Sequence, residues 1–126
     1  MDITPLIPRS SQVIQAYGET GVKVSGQDYE GSVLVFTDEV KNWDVQKQAN
    51  ELKRADFQFL EELKDTPEVL IVGTGTSMQF LAKDVRNYLE GLGIHPEMMD
   101  TGAAARTYNV LLSEGRSVCA ALLPYA

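Results

Sequence analysis

Through the first third of the chain, apolar and polar positions alternate in short runs punctuated by glycine. Gln12 to Tyr17 alternates, Gly18 to Gly21 turns, and Val22-Lys23-Val24 alternates again. A second turn covers Gly26 to Gly31, and Ser32-Val33-Leu34-Val35-Phe36 reads as a third strand. Short strands separated by turn signals predict an antiparallel meander. Residues 1–10, with Pro5 and Pro8 and no period, read as an extended arm. Residues 37–51 carry two readings: Trp43 and Val45 in a short fourth strand, or Gln46 to Leu52 opening a helix.

From about Asp56 the spacing becomes helical. Leu52, Phe59, Leu60 and Leu63 fall on one face, and Glu61, Glu62 and Lys64 on the other. Asp56 is the expected N-cap, and Pro67 ends the element. The apolar run Val69-Leu70-Ile71-Val72 then stops at Gly73-Thr74-Gly75-Thr76. Such a run reads as a strand buried on both faces, and its glycine-rich exit as one half of a βαβ unit. Met78, Leu81, Val85 and Leu89 predict a helix from about Ser77, capped by Thr76 or Ser77 and closed at Gly91 or Gly93. Ile94 to Met99 is a short strand interrupted by Pro96. Asp100-Thr101-Gly102 turns into a helix from Ala103 to about Ser113, closed by Gly115. Val118 to Leu123 is a last, continuously apolar strand. The expected architecture is a single three-layer α/β domain over residues 1–126. Its central mixed sheet joins an N-terminal antiparallel meander to a β-α-β-α-β half.

Composition narrows the function classes. At 126 residues the chain buries roughly two-thirds of the surface its unfolded form exposes, enough for a core without staples. Eighteen acidic residues against 11 basic ones give a net charge of −7. That balance, with no basic stripe, disfavours nucleic acid, whose binding depends on neutralising phosphates. One cysteine, Cys119, excludes an internal disulfide and a thiolate zinc cluster, and His95 is the one histidine. No metal site and no cofactor are expected. No apolar run approaches the ~20 residues of a membrane span. The Met-Asp-Ile-Thr-Pro start has neither a basic n-region nor Arg-rich transit character, so a cytoplasmic location is the expectation.

Position in the fold supplies a candidate site. If the strands at 69–72 and 94–99 are parallel neighbours, Gly73 to Ser77 and Asp100 to Gly102 flank one crevice, where open α/β sheets bind ligands. Gly73 and Gly75 allow close backbone approach. N–H groups at the following helix start could hold a small anion, assisted by the hydroxyls of Thr74, Thr76 or Ser77. Arg106 could add a fixed positive charge, and Asp100 or Tyr108 could handle a proton. Against this stand simpler roles. Gly-x-Gly serves turns and helix packing as readily, Met78 occupies the third position of the dinucleotide fingerprint, and no Lys completes a P-loop. Thr101 suits an N-cap, Asp100 a charge beside a helix start, and Arg106 a surface pair. Cys119 suits a small buried hydrophobe and His95 an exposed strand residue. An interior Asn109 invites a special reason, a buried hydrogen bond or a ligand. The pattern assigns no catalytic residue.

The segment Met99-Asp100-Thr101-Gly102-Ala103-Ala104-Ala105-Arg106-Thr107-Tyr108-Asn109-Val110-Leu111 is distinctive, together with Gly73-Thr74-Gly75, Gly115-Arg116 and Ala120-Ala121-Leu122-Leu123-Pro124. These residues resemble a small uncharacterised domain family that includes the mitochondrial complex I assembly factor three and the adipogenesis-associated domain proteins. The chain is similar to its short bacterial members. The resemblance covers nearly the whole chain and implies a compact three-layer α/β domain with a mixed sheet. It also implies a non-enzymatic module acting through contacts with protein partners, in the manner of an assembly factor. The alternative is a protein or enzyme for a small anionic metabolite, using Gly73–Thr76 and Asp100–Gly102. Nothing in the sequence specifies an oligomeric state.

Overall fold

The computed structural model describes residues 11–125, so the arm expected over residues 1–10 lies outside the described residues. Two sheets form. A three-stranded antiparallel sheet holds β1 (Ile14–Tyr17), β2 (Gly21–Val24) and β3 (Gln27–Glu30) in that order. A five-stranded mixed sheet has β4 (Val33–Val35), β5 (Val40–Asn42), β6 (Val69–Thr74), β7 (Pro96–Met99) and β8 (Val118–Leu123), in the order β5-β4-β8-β6-β7. β6 runs parallel to both β7 and β8, and β4 runs antiparallel to β8. Helix α1 (Lys83–Gly91) joins β6 to β7, and helix α2 (Thr101–Ser113) joins β7 to β8. Two 3₁₀ segments, Ala49–Glu51 and Arg54–Glu62, precede β6.

The two-residue period of β6 and β8 divides the core into layers. Leu70 and Val72 with Cys119, Ala121 and Leu123 face Phe57, Leu60, Val85 and Leu89. Ile71 with Val118, Ala120 and Leu122 faces Ala104, Ala105, Tyr108 and Leu112 of α2, and this second cluster continues into Ile14, Val22 and Val24. The central sheet therefore lies between α1 with the 3₁₀ segments and α2 with the small sheet. This is the three-layer mixed α/β arrangement expected from the pattern.

Several elements differ from the sequence reading. The third strand of the meander is β3, in the stretch read as a turn; the 32–36 run belongs to the central sheet, paired with β8. Gln27-Asp28-Tyr29-Glu30 has almost no buried face, so it leaves no alternation to detect. In the ambiguous 37–51 stretch the strand is Val40–Asn42, just before Trp43, followed by the 3₁₀ turn. The expected helix near Asp56 is a 3₁₀ helix that buries Phe57 and Leu60, three apart as three residues per turn require. Its cap position is Lys53, whose N–H donates to the Asp56 carboxylate at 2.8 Å.

The largest displacement is at α1. The helix begins at Lys83 after Ala82, with no side-chain cap, rather than at Ser77 capped by Thr76 or Ser77. Met78, expected on the buried stripe, is 48% exposed. Both α-helices end in the left-handed glycine motif: Gly93 and Gly115 have φ near +80°, and Ile94 and Arg116 N–H groups return to Leu89 and Leu111.

Candidate functional site

Between the carboxyl ends of β6 and β7 the chain leaves toward opposite faces of the sheet, the position at which a ligand crevice is expected. Here that position is closed. The Gly75 N–H donates to Thr101 Oγ1 at 2.9 Å, and the Thr101 N–H donates back to the Gly75 carbonyl at 2.9 Å. The Thr101 hydroxyl in turn donates to the Leu123 carbonyl. One fully buried threonine thus joins the ends of β6 and β8 to the first turn of α2. Two glycines make the approach possible. A Cβ on Gly73 would lie 2.8 Å from Leu122 Cδ2 and 3.1 Å from the Thr101 Cα. Gly75 has φ +97°, a conformation that other residues adopt only with strain.

Asp100, not Thr101, caps α2: its carboxylate accepts the Ala103 N–H at 3.0 Å and the Tyr125 O–H at 3.1 Å. The Ala103 N–H holds this carboxyl below the usual range against partial desolvation, with Tyr125 adding to the effect. The Tyr125 hydroxyl is pushed up, by desolvation first and by Asp100 second. Asp100 is thereby kept ionised as an acceptor. Arg106 is exposed and donates to the Tyr17 hydroxyl at 2.8 Å, and Tyr17 packs edge-on against Tyr125 with ring centroids 5.4 Å apart.

Further along α2, Tyr108 is buried, with its hydroxyl 2.8 Å from the Gln12 carbonyl and 3.0 Å from that of Phe36. Burial pushes its pKa up. The Asn109 carboxamide clamps Ile14, accepting its N–H at 3.0 Å and donating to its carbonyl at 2.7 Å. These two side chains dock α2 against β1 and the end of β4. Cys119 is buried and its thiol pushed up by desolvation.

The open space lies on the other side of β6. A cleft of about 650 Å³ runs between the 74–79 loop, the 45–51 segment and Gly31-Ser32, with Leu123 and Pro124 at its end. Of the residues singled out in the sequence, Thr74, Gly75 and Thr76 line it; Gly73, Asp100, Thr101, Arg106, Tyr108 and Asn109 do not. Its walls are held internally. The buried Thr74 hydroxyl donates to the Ser77 carbonyl at 2.7 Å and accepts the Gln79 N–H at 3.0 Å. Ser32 donates to the Val45 carbonyl at 3.0 Å, and Trp43 Nε1 to the Asp56 carbonyl at 2.9 Å. Among the described residues the cleft carries one cation, Lys47, paired with Asp56 at 3.0 Å, and one anion, Glu51, whose carboxylate accepts the Gln48 N–H.

The 75–82 loop bends at Gly75 to Ser77 and runs on to Ala82 without helix or strand. Ser77 and Gln79 face the cleft, whereas Met78 and Phe80 stand 48% and 61% exposed on the outside. Leu81 anchors the loop in the core, its N–H against Met98 Sδ at 3.3 Å. Arg86 lies over the Phe80 ring, 6.0 Å from its centroid. Sequence reasoning placed Met78 on a helix and passed over Gln48, Gln79 and Phe80. The available signal was the i, i+2 pair of apolar residues around Gln79, a strand-like spacing inside an assumed helix.

Residues 14–123 match the profile of a family described as "Protein of unknown function (DUF498/DUF598)". The chain is 36% identical over 111 residues to an uncharacterized protein of Rhodobacter capsulatus, covering 88% of this chain and 83% of that one. It is 31% identical over 112 residues to NADH dehydrogenase [ubiquinone] 1 alpha subcomplex assembly factor 3 of Danio rerio, covering 89% of this chain and 64% of the assembly factor's own length. The crystal structure of a Bordetella parapertussis protein superposes with a TM-score of 0.82 at 35% identity, over 91% of this chain and 97% of that one.

Proposed function

This chain belongs to the DUF498/DUF598 family of proteins of unknown function, and we propose that within it the chain acts as a protein-docking module, similar in kind to an assembly factor. The observation that carries the reading is the 75–82 loop. It is tied down at Thr74, Gln79 and Leu81, yet presents Met78 and Phe80 to solvent. Two large apolar side chains on a fixed loop cost nothing in shape on binding, and an aromatic ring beside an arginine suits the centre of a protein interface. Assembly-factor relatives support a protein as the partner. A cytoplasmic location belongs to this proposal. Among the described residues no helix is long and apolar enough to cross a membrane.

The small-anion alternative is not carried forward. The helix start that was to supply free N–H groups is at Lys83, the Gly75 N–H is engaged by Thr101, and Arg106 pairs with Tyr17 outside the cleft. The docking reading is tested by co-purification from the native cell, comparing the tagged parent with a Met78→Ser, Phe80→Ser variant. Partners recovered with the parent and lost with the equally stable variant support it. An identical set of proteins from both refutes it.

A further inference from the structure

Among the described residues, one side chain lining the cleft holds a buried polar atom without a partner. Gln79 Oε1 is buried and receives no hydrogen bond, while its Nε2 makes only a long contact, 3.4 Å, to Gln48 Oε1. Buried polar atoms are nearly always paired, so this oxygen is set to receive an N–H or O–H donor. A carboxylate anion offers only acceptors and would leave it unsatisfied. The cleft's charges do not select an ion either, since Lys47 is held by Asp56 and Glu51 receives the Gln48 N–H.

The fold already contains a carboxamide that reads a main chain. Asn109 accepts the N–H and donates to the C=O of a single residue, Ile14, and so fixes an extended strand against α2. Gln79 and Gln48 bring two more carboxamides into a cleft of about 650 Å³, within the usual range of ligand sites.

We propose that the cleft takes an extended, uncharged polypeptide segment of the docking partner, its main-chain amides read by the carboxamides of Gln79 and Gln48. This rests on the protein-docking reading and deepens it. Gln48 is exposed and swings off Gln79 to admit the segment, whose N–H then reaches Gln79 Oε1. Met78 and Phe80, on the outward side of the same loop, meet the surrounding surface of the partner.

The test is a two-dimensional amide NMR titration of the labelled protein with N-acetyl-trialanine amide, with sodium phosphate as the parallel probe. The expected result is saturable shifts confined to cleft amides such as Ser32, Gln48, Gly75 and Gln79. Binding should be about tenfold weaker in Gln79→Leu, the value of one buried hydrogen bond. Gln48→Leu, at an exposed position, should weaken it as well. No saturable shift with the peptide overturns the proposal, as do shifts that survive both substitutions or a phosphate response at the same amides. If those results coincide with partners still lost in the Met78→Ser, Phe80→Ser variant, the peptide proposal fails and the docking reading stands.

Discussion

Replacing Thr101 by valine keeps the shape of the side chain and removes one oxygen. In the parent that oxygen accepts the Gly75 N–H at 2.9 Å and donates its O–H to the Leu123 carbonyl, at a residue with no exposed surface. Each bond contributes about 0.5–1.5 kcal/mol net, and a buried group left unpaired costs about 1–3 kcal/mol. Since the Gly75 N–H loses its acceptor outright, Thr101→Val should lower the unfolding free energy by about 2–4 kcal/mol. For a domain of this size that corresponds to about 6–15 °C in Tm. The assay is urea unfolding followed by fluorescence of the buried Trp43, where the midpoint should fall without a change in slope. Thr101→Ser keeps the oxygen and loses a methyl, so it should cost about 1 kcal/mol. If valine is as stable as threonine, or serine costs as much as valine, the hydroxyl does not join the three elements.

Three further outcomes follow from the same geometry. Asp100 has a folded pKa below its ordinary value, so its ionised form stabilises the fold above the ordinary carboxylate range, and that contribution is lost as pH falls through the folded value. Asn still caps a helix, so urea midpoints of Asp100→Asn should lie below the parent at neutral pH and converge with it in acid; a gap unchanged into strong acid contradicts this. Asn109→Ala should cost about 1–3 kcal/mol and speed hydrogen exchange at the Ile14 amide, and an unchanged Ile14 rate would show that the clamp does not hold β1. The buried Cys119 thiol, pushed up by desolvation, should react with a maleimide only as the protein unfolds, in step with the urea transition. Fast labelling in native buffer would contradict its burial.

What could be read from the sequence depended on how much of each element is buried. β6 and β8 announce themselves because both faces of each are covered, giving continuous apolar runs. Gly115 closing α2 was equally readable, and Gly93 was one of two glycines expected to close α1, since a left-handed residue there has a strong chemical preference. β3 was hidden because its polar residues are exposed on both faces. The start of α1 was misplaced because Leu81, Val85 and Leu89 share a helical period that Met78 extends by coincidence, while the chain from Gly75 to Ala82 forms an irregular loop.

The strand order behind the expected crevice was sound, with β6 parallel to β7. Its occupancy was not readable. A sequence does not reveal that the Thr101 side chain fills the gap, or that the 45–51 segment builds a cleft with Thr74 to Gln79 on the other side of β6. Tyr108 and Asn109 were noticed as unusual inside a helix, and their partners, Gln12, Phe36 and Ile14, lie more than 70 residues away along the chain.

The most direct measurement is photocrosslinking in the native cell, with p-benzoylphenylalanine at position 80 and, as a control, at the exposed Glu62 on the 3₁₀ helix. A docking loop predicts a discrete protein adduct at position 80, absent at position 62 and lost on adding Met78→Ser. No adduct at 80, or the same adducts at both positions, would contradict the claim that this loop is where the protein meets its partner.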